Sequence, residues 1–335
     1  MVKQSMVRRA LAFGGGALAL GLGACAGTDN DERAVPAPAP AGNRLLTPWL
    51  SLKGGWRADA RRLPSGVATG PRLSFVRPVG VAAQGDVVIV ADAGARMLWR
   101  LNRARDTIEP FAPFTGASAQ YGGSLQLGND LAVWVALPGE HEVVQFDVRG
   151  QLVRRWRDDA NVPQPVAVAV PDDRSEVLVA DGASGRIAAY NPLGGLIALL
   201  GPATPALLQS VAAMSIGPRG LYVLDGAAQQ VVVFGRRGEV VEVIGEHHLV
   251  RPRALAVDRS GRVFVADDLD QQIKVFRGGT LLAVAGGLGG GPGRFARIEA
   301  LAVDGNMLYA ADSGNSRVEV MLIAPPSMEG AGAGR

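Results

Sequence analysis

The stretch VADDLDQQIKVF, residues 265–276, recurs six times along the chain in recognisable form. The other copies are VADAGARMLWRL (90–101), VALPGEHEVVQF (135–146), VADGASGRIAAY (179–190), VLDGAAQQVVVF (223–234) and AADSGNSRVEVM (310–321). With Asp92, Leu137, Asp181, Asp225, Asp267 and Asp312 as anchors, successive copies lie 45, 44, 44, 42 and 45 residues apart, the period of a propeller blade. The register is tested by two further positions. Six residues past the anchors stand Leu98, Val143, Ile187, Val231, Ile273 and Val318, and nine past them Leu101, Phe146, Tyr190, Phe234, Phe276 and Met321. All are apolar or aromatic, which a false register would not give.

Each unit supplies four strands. In the fifth these are RALAVD (253–258), GRVFVAD (261–267), QIKVF (272–276) and LLAVAG (281–286). Short alternating runs bounded by Gly, Asp and Pro, with no long apolar pattern of helical period, make the body all β. The sixth unit stops one strand short at Ala324-Pro325-Pro326, whereas LLTPWLSLKGG (45–55) precedes the first unit as TLLAVAGG (280–287) precedes the sixth. Residues 49–53 are therefore expected to complete the last blade, closing the ring and covering its edge.

The segment GGLGGGPGRFARIEALAVDGNMLYAADSGNSRVEVM (286–321) resembles the NHL repeat, the unit of a six-bladed β-propeller, and the resemblance extends over most of residues 72–321. The second blade departs furthest, with Leu137-Pro138 in place of the anchor Asp and GSLQLG as its inner strand. Domain bounds follow: a leader over 1–24, a tether over 25–43, a propeller over 44–324 and a disordered tail over 325–335.

At the start of the chain, Lys3, Arg8 and Arg9 precede an apolar run over residues 10–22 that ends in Leu22-Gly23-Ala24-Cys25. The run is shorter than a membrane span and reads as a signal peptide. Its ending resembles the lipobox of bacterial lipoproteins, which implies a lipidated Cys25 as first mature residue. Cys25 is the only cysteine, and a free thiol would be a liability in an oxidising compartment. Ala26 stands where an aspartate tends to retain such proteins at the inner membrane, so the resemblance implies the periplasmic face of the outer membrane. Residues 26–43, rich in Pro, Ala and charge, form a tether of up to about 50 Å.

The whole chain holds 34 Lys plus Arg against 31 Asp plus Glu, and three of the bases lie in the leader, leaving 31 against 31. A neutral body without a basic run argues against nucleic acid as a partner.

The anchors Asp92, Asp181, Asp225, Asp267 and Asp312 fall at the turn after each second strand, where a carboxylate pins a tight turn by accepting backbone N–H groups. Asp312 with Arg317, and Asp181 with Arg186, have the spacing of a local ion pair. Comparison across blades isolates other polar positions. Just before the inner strand, Val79 and Val166 of blades 1 and 3 give way to Arg253 and Glu299 in blades 5 and 6. Seven past the anchor, apolar residues give way to Lys274 and Glu319 in the same two blades. Both pairs are expected to bridge the blades. Arg253 and Glu299, with Arg251, Arg297 and the loop residues His247 and His248, are placed near one mouth of the central channel, where they would hold a polar or anionic ligand. Adjacent histidines in extended chain point opposite ways, so no metal site is expected there, and no cofactor. The glycine run 286–293 leads into a strand rather than a helix and reads as a flexible inter-blade loop.

No nucleophile motif, phosphate loop or Cys/His cluster appears. The chain reads as a non-catalytic envelope lipoprotein that binds or scaffolds a protein, peptide or envelope polymer through its propeller face and channel mouth. Alternatives are a metal-dependent hydrolase or lyase, like the gluconolactonase-type and amidating-lyase propellers that the resemblance brings in, or a small-molecule sensor.

Overall fold

The computed structural model describes residues 45–58, 61–62, 68–114, 124–173, 175–200 and 208–326. The leader, Cys25, the tether and residues 327–335 of the C-terminal segment lie outside the described residues.

Six antiparallel sheets radiate around a central channel. Blades 2 to 5 each have four strands. Blade 5 runs from the inner strand Pro252–Val257 through Val263–Asp267 and Gln272–Arg277 to the outer strand Thr280–Gly286. Blade 2 keeps the pattern despite its divergent sequence, with Leu125–Leu127 innermost, then Val133–Leu137, Glu142–Phe146 and Leu152–Trp156. Blade 6 contains Ile298–Asp304, Met307–Asp312 and Arg317–Ile323, and its outer strand is the N-terminal Leu46–Leu52. That strand pairs antiparallel with Arg317–Ile323, Leu46 opposite Ile323 and Leu52 opposite Val318. Closure occurs as expected from sequence, with the strand starting earlier, at Leu46.

Blade 1 goes beyond the repeat. After Lys53 the chain crosses to the rim of this blade, where Gly54–Arg57 lies parallel to the outer strand Thr107–Pro113 and is itself covered by Arg72–Ser74. Gly54 is required at the crossing: its φ is +133°, and a Cβ would collide with the Leu73 carbonyl. The N-terminal segment thus binds both sides of the blade 6–blade 1 joint.

Six apolar clusters hold the ring, one for each pair of neighbouring blades. The two diagnostic positions of the repeat explain them. Residues six and nine past the anchor are three apart on one strand, so they point to opposite faces. Ile273 enters the cluster with blade 6 while Phe276 enters the cluster with blade 4. Likewise Val143 faces blade 3 and Phe146 faces blade 1, and Val318 faces blade 1 while Met321 faces blade 5. Each large side chain so buried contributes about 1.5–3 kcal/mol.

The anchor aspartates are fully buried. Asp92 accepts from the backbone N–H groups of Val76, Arg77, Gly94 and Ala95, at 2.8–3.0 Å. Asp225 accepts from Gln209, Ser210, Ala227 and Ala228 in the same arrangement. Each carboxylate therefore ties its own turn to the loop by which the chain enters that blade. Asp312 receives Arg317 at 3.3 Å, whereas Asp181 is served by the Ser184 N–H and hydroxyl in place of the expected Arg186. Asp267 accepts from Lys274 Nζ at 2.7 Å and from the N–H groups of Val250, Arg251 and Leu269. Burial raises its pKa, and these donors together outweigh burial and hold it below the ordinary 3.8.

Two expectations are corrected here. Lys274 does not bridge to Glu319: it stays within blade 5, reaching Asp267 and, at 3.4 Å, Asp270. Glu319 is instead held by Arg317 at 3.3 Å, by the Gly293 N–H at 2.8 Å and by the Ser51 hydroxyl of the closing strand. The glycine run 286–293 is also not a free loop. The Arg317 guanidinium donates to the carbonyls of Gly290, Gly291 and Arg294, and Asn315 donates to Gly289. A buried cation needs several acceptors, and a run without side chains lets its backbone wrap one.

Arg317→Ala, which leaves Asp312 and Glu319 without their guanidinium, is expected to lower the unfolding free energy by about 3–5 kcal/mol in urea titrations. Arg219→Ala, at an exposed pair with Glu242, is expected to cost less than about 1 kcal/mol. The lowered Asp267 pKa sets a sign for pH dependence. Stability from this carboxylate is complete above its unfolded-state pKa and is lost as pH falls through the folded one. Urea midpoints measured downward from pH 5 should therefore fall more steeply for the wild-type chain than for Asp267→Asn.

Candidate functional site

Every inner strand starts on the face that carries the inter-blade loops and the anchor turns, and ends at a hairpin on the opposite face. The six inner strands leave a channel of about 1060 Å³. It stays open because its walls carry small side chains, among them Ala82, Ala213, Ala254, Ala256, Ala300 and Ala302. Midway along the wall the polar groups are Ser124, Gln126 and Ser215, and toward the hairpin side Gln84, Asn129, Asp172, Asp173 and Asp304 join the lining.

At the loop-side mouth the joint between blades 5 and 6 is charged. Arg253 Nε stands 3.0 Å from Glu299 Oε2, and Arg297 Nε stands 2.8 Å from Glu299 Oε1. The Glu299 side chain is only 8% exposed and that of Arg253 23%. Ser313 adds a hydrogen bond to Glu299 at 3.4 Å. Next to this group Arg251 pairs with Asp268 at 3.2 Å. Three guanidinium groups thus face two carboxylates, leaving one net positive charge at the mouth.

Arg253 is held but not saturated. Its Nε faces Glu299 off the line of a hydrogen bond, and among the described residues its terminal nitrogens have no partner. A guanidinium offers five donors in a planar fork matched to carboxylate or phosphate. The position is fixed by its bulge: pairing shifts register between Pro252 and Ala254, which swings Arg253 out of the ladder toward the channel. The same shift occurs between Ile298 and Ala300, and so aims Glu299 at the same space.

Of the residues singled out from sequence, Arg251, Arg253 and Glu299 line the channel, while Arg297 braces Glu299 from outside that lining. His247 and His248 are displaced from the mouth. His248 packs edge-on against Phe276, with its Nδ1 2.8 Å from the Glu246 carbonyl, and His247 takes the left-handed turn conformation beside it. His141 lies far off in blade 2, with Nδ1 2.5 Å from the Pro163 carbonyl. Sequence reasoning missed Asp268 and Gln271. Gln271 donates to Asp268 and accepts from the Ile298 N–H, so it joins the two blades just behind the ion pairs. A signal was available for Asp268, since the residue after the anchor is Ala93, Pro138, Gly182, Gly226 or Ser313 in the other blades, but not for Gln271, whose position in blade 4 also holds a glutamine, Gln229. Among the described residues no group of three or more His, Cys, Asp or Glu is placed to hold a metal ion.

No protein-family model matches the chain. A curated relative, NHL repeat-containing protein 3 from Mus musculus, is 27% identical over 58% of this chain and 62% of its own length. The chain is a six-bladed β-propeller with NHL-repeat homology. It spans less than two thirds of that mouse relative. Solved structures similar to this propeller include a protein of unknown function from Bacteroides thetaiotaomicron, with a TM-score of 0.61 and 13% identity over 84% of this chain and 76% of that one. Virginiamycin B lyase from Staphylococcus aureus follows, with a TM-score of 0.56 and 12% identity over 83% and 99%. Hydrazine synthase from Kuenenia stuttgartiensis has a TM-score of 0.54 and 12% identity over 76% and 98%. At these identities the solved structures share the fold, and propellers host unrelated activities.

Proposed function

We propose that this NHL propeller is a non-catalytic binding protein of the bacterial envelope, anchored by a lipid on Cys25 at the periplasmic face of the outer membrane. Its ligand is a protein, peptide or envelope polymer that presents an acidic group to the mouth between blades 5 and 6. The observation that carries this reading is Arg253: a guanidinium oriented by a nearly buried carboxylate, facing an open channel, with donors unused. Such a group recognises a carboxylate or phosphate by charge and by geometry. The small-residue channel behind it admits a chain terminus or a slender side group without rearrangement. Glu299 and Arg297 set the orientation of Arg253 and act on the ligand through it.

The test is cross-linking of the native protein in intact cells, followed by identification of attached molecules by mass spectrometry. A reproducible macromolecular partner is expected, with affinity lowered about ten- to a hundredfold by Arg253→Ala, the loss of hydrogen bonds to a charged group. Glu299→Gln, which frees Arg253 from its brace, is expected to weaken the same partner less. A partner indifferent to both changes would move the binding surface elsewhere. An activity on a small lactone or ester that survives dialysis with bound metal and disappears in Glu299→Gln would replace the reading with a hydrolytic one.

A further inference from the structure

The opposite face of the ring carries a feature outside the repeat logic. On the outer strands of blades 2, 3 and 4, pairing slips by one residue at Val153, Ile197 and Val241. The bulge places two successive apolar side chains at the same point of each blade: Leu152-Val153, Leu196-Ile197 and Val240-Val241. All six are exposed, with Val153 at 54% and Ile197 at 55%. The hairpins leading into these strands add Val148 and Leu193, the latter 84% exposed. These groups are continuous in space, because each hairpin leans on the outer strand of the preceding blade. Arg154 of blade 2 donates to the Pro192 carbonyl of the blade 3 hairpin, and Gly238 of the blade 4 hairpin lies against Leu200 of blade 3.

The other three blades share this exposure at one point alone. Blade 1 is covered by Gly54–Arg57 and Arg72–Ser74, the equivalent Leu281 and Leu282 of blade 5 are half-buried, and at the matching slip on the closing strand of blade 6 the exposed Trp49 lies under the Arg103 guanidinium with Leu50 beside it. The apolar groups of blades 2 to 4 therefore form a crescent along half the rim. A contiguous apolar stretch of this kind on a soluble fold marks an interaction surface.

We infer that this crescent rests on the surface of an anionic phospholipid bilayer. Charge supports that occupant over a protein groove: Arg149 and Arg237 occupy the same hairpins, are exposed and make no ion pair among the described residues, and the exposed Arg236 beside them faces Asp173 of the blade 3 hairpin. Aliphatic residues that reach the acyl boundary beside arginines at headgroup level are the composition of an interfacial contact. Chain direction supports it independently. Leu45, whose carbonyl accepts from the Ala324 N–H, lies at the hairpin end of blade 6, so the described chain begins on the face that bears the crescent, the side from which a tether to Cys25 would run. This second argument rests on the lipid-anchor reading, and the first does not.

The test uses the full chain with a single nitrobenzoxadiazole probe at Ile197→Cys or, as control on the loop-side face, at Glu246→Cys. The chain is bound to vesicles of phosphatidylethanolamine and phosphatidylglycerol containing doxyl-labelled lipid. Emission at position 197 should be quenched about twofold or more and emission at 246 left nearly unchanged, as shallow insertion of one face requires. Exchange of phosphatidylglycerol for phosphatidylcholine, or the double change Arg236→Glu, Arg237→Glu, should reduce the quenching. Equal quenching at both positions, or none at 197, would overturn the proposal, as would shielding of 197 that tracks formation of a dimer by light scattering. Failure of the anchor reading is seen separately: a free Cys25 thiol takes up probe in the wild-type chain, and the measurements then proceed in a Cys25→Ser background.

Discussion

A ring of six blades has no central core, so each blade is stable only through its two neighbours, and the pairing of Leu46–Leu52 with Arg317–Ile323 is what makes every blade equivalent in that respect. Without it, the third strand of blade 6 would present a bare hydrogen-bonding edge. The closing strand also feeds two cores at once. Leu46 is buried between blades 5 and 6, and Leu52 between blades 6 and 1. Six residues apart on a regular strand, both would point the same way. The register slip at Trp49 turns one of them over, and the extra residue, Trp49, is left on the rim under the Arg103 guanidinium. The Arg317–Glu319–Ser51 contacts then tie the closing strand to its neighbour within blade 6.

The same consideration separates scaffold from site. In blades 1 and 3 the position before the inner strand is filled by Val79 and Val166, both buried. An apolar residue evidently suffices to build a blade there. Replacing it by Arg253 in one blade and Glu299 in the next brings two charges out of water at a desolvation cost that their mutual attraction offsets only in part. Arg297 and Ser313 compensate Glu299 further, while Arg253 keeps unused donors. A structure that satisfies the acid more fully than the base is poised toward an external anion.

Legibility in the sequence followed the distinction between repeated and unique features. The period, the blade count, the buried positions six and nine past the anchor, and the swap that closes the ring all derive from comparing copies, and the structure places them accordingly. The aspartate anchors were read as turn residues, but their grip on the loop entering the blade involves N–H groups some 15–17 positions upstream, which alignment of copies does not pair. Features present once were harder. Lys274 and Glu319 occupy equivalent positions with opposite charges, yet each finds a nearer partner, Lys274 in its own anchor and Glu319 in Arg317 two residues before it. Charge complementarity across an interface is decided by distance after each group's local options are exhausted. The glycine run 286–293 carries no side chain to report its role, so its wrapping of Arg317 was invisible until the backbone was in place. The crescent escaped notice for a related reason: alternation hides a bulge, and Leu152-Val153, Leu196-Ile197 and Val240-Val241 look like ordinary strand starts until the register slip exposes both members.

The up-and-down course of each blade gives the ring two chemically different faces. Anchor turns and inter-blade loops, with Arg253 and Glu299, occupy one of them. Hairpins, with the apolar crescent and Leu45 at the start of the described chain, occupy the other. A lipid on Cys25 and a bilayer under Ile197 would act on the same side, and each would lower the cost of the other, because a tethered surface meets the bilayer at high effective concentration. Neither contact alone need be strong. The consequence for the mouth is geometric: with hairpins toward lipid, the strand starts of blades 5 and 6 would point into the aqueous space, and the proposed ligand of Arg253 would approach from the side that the membrane leaves open.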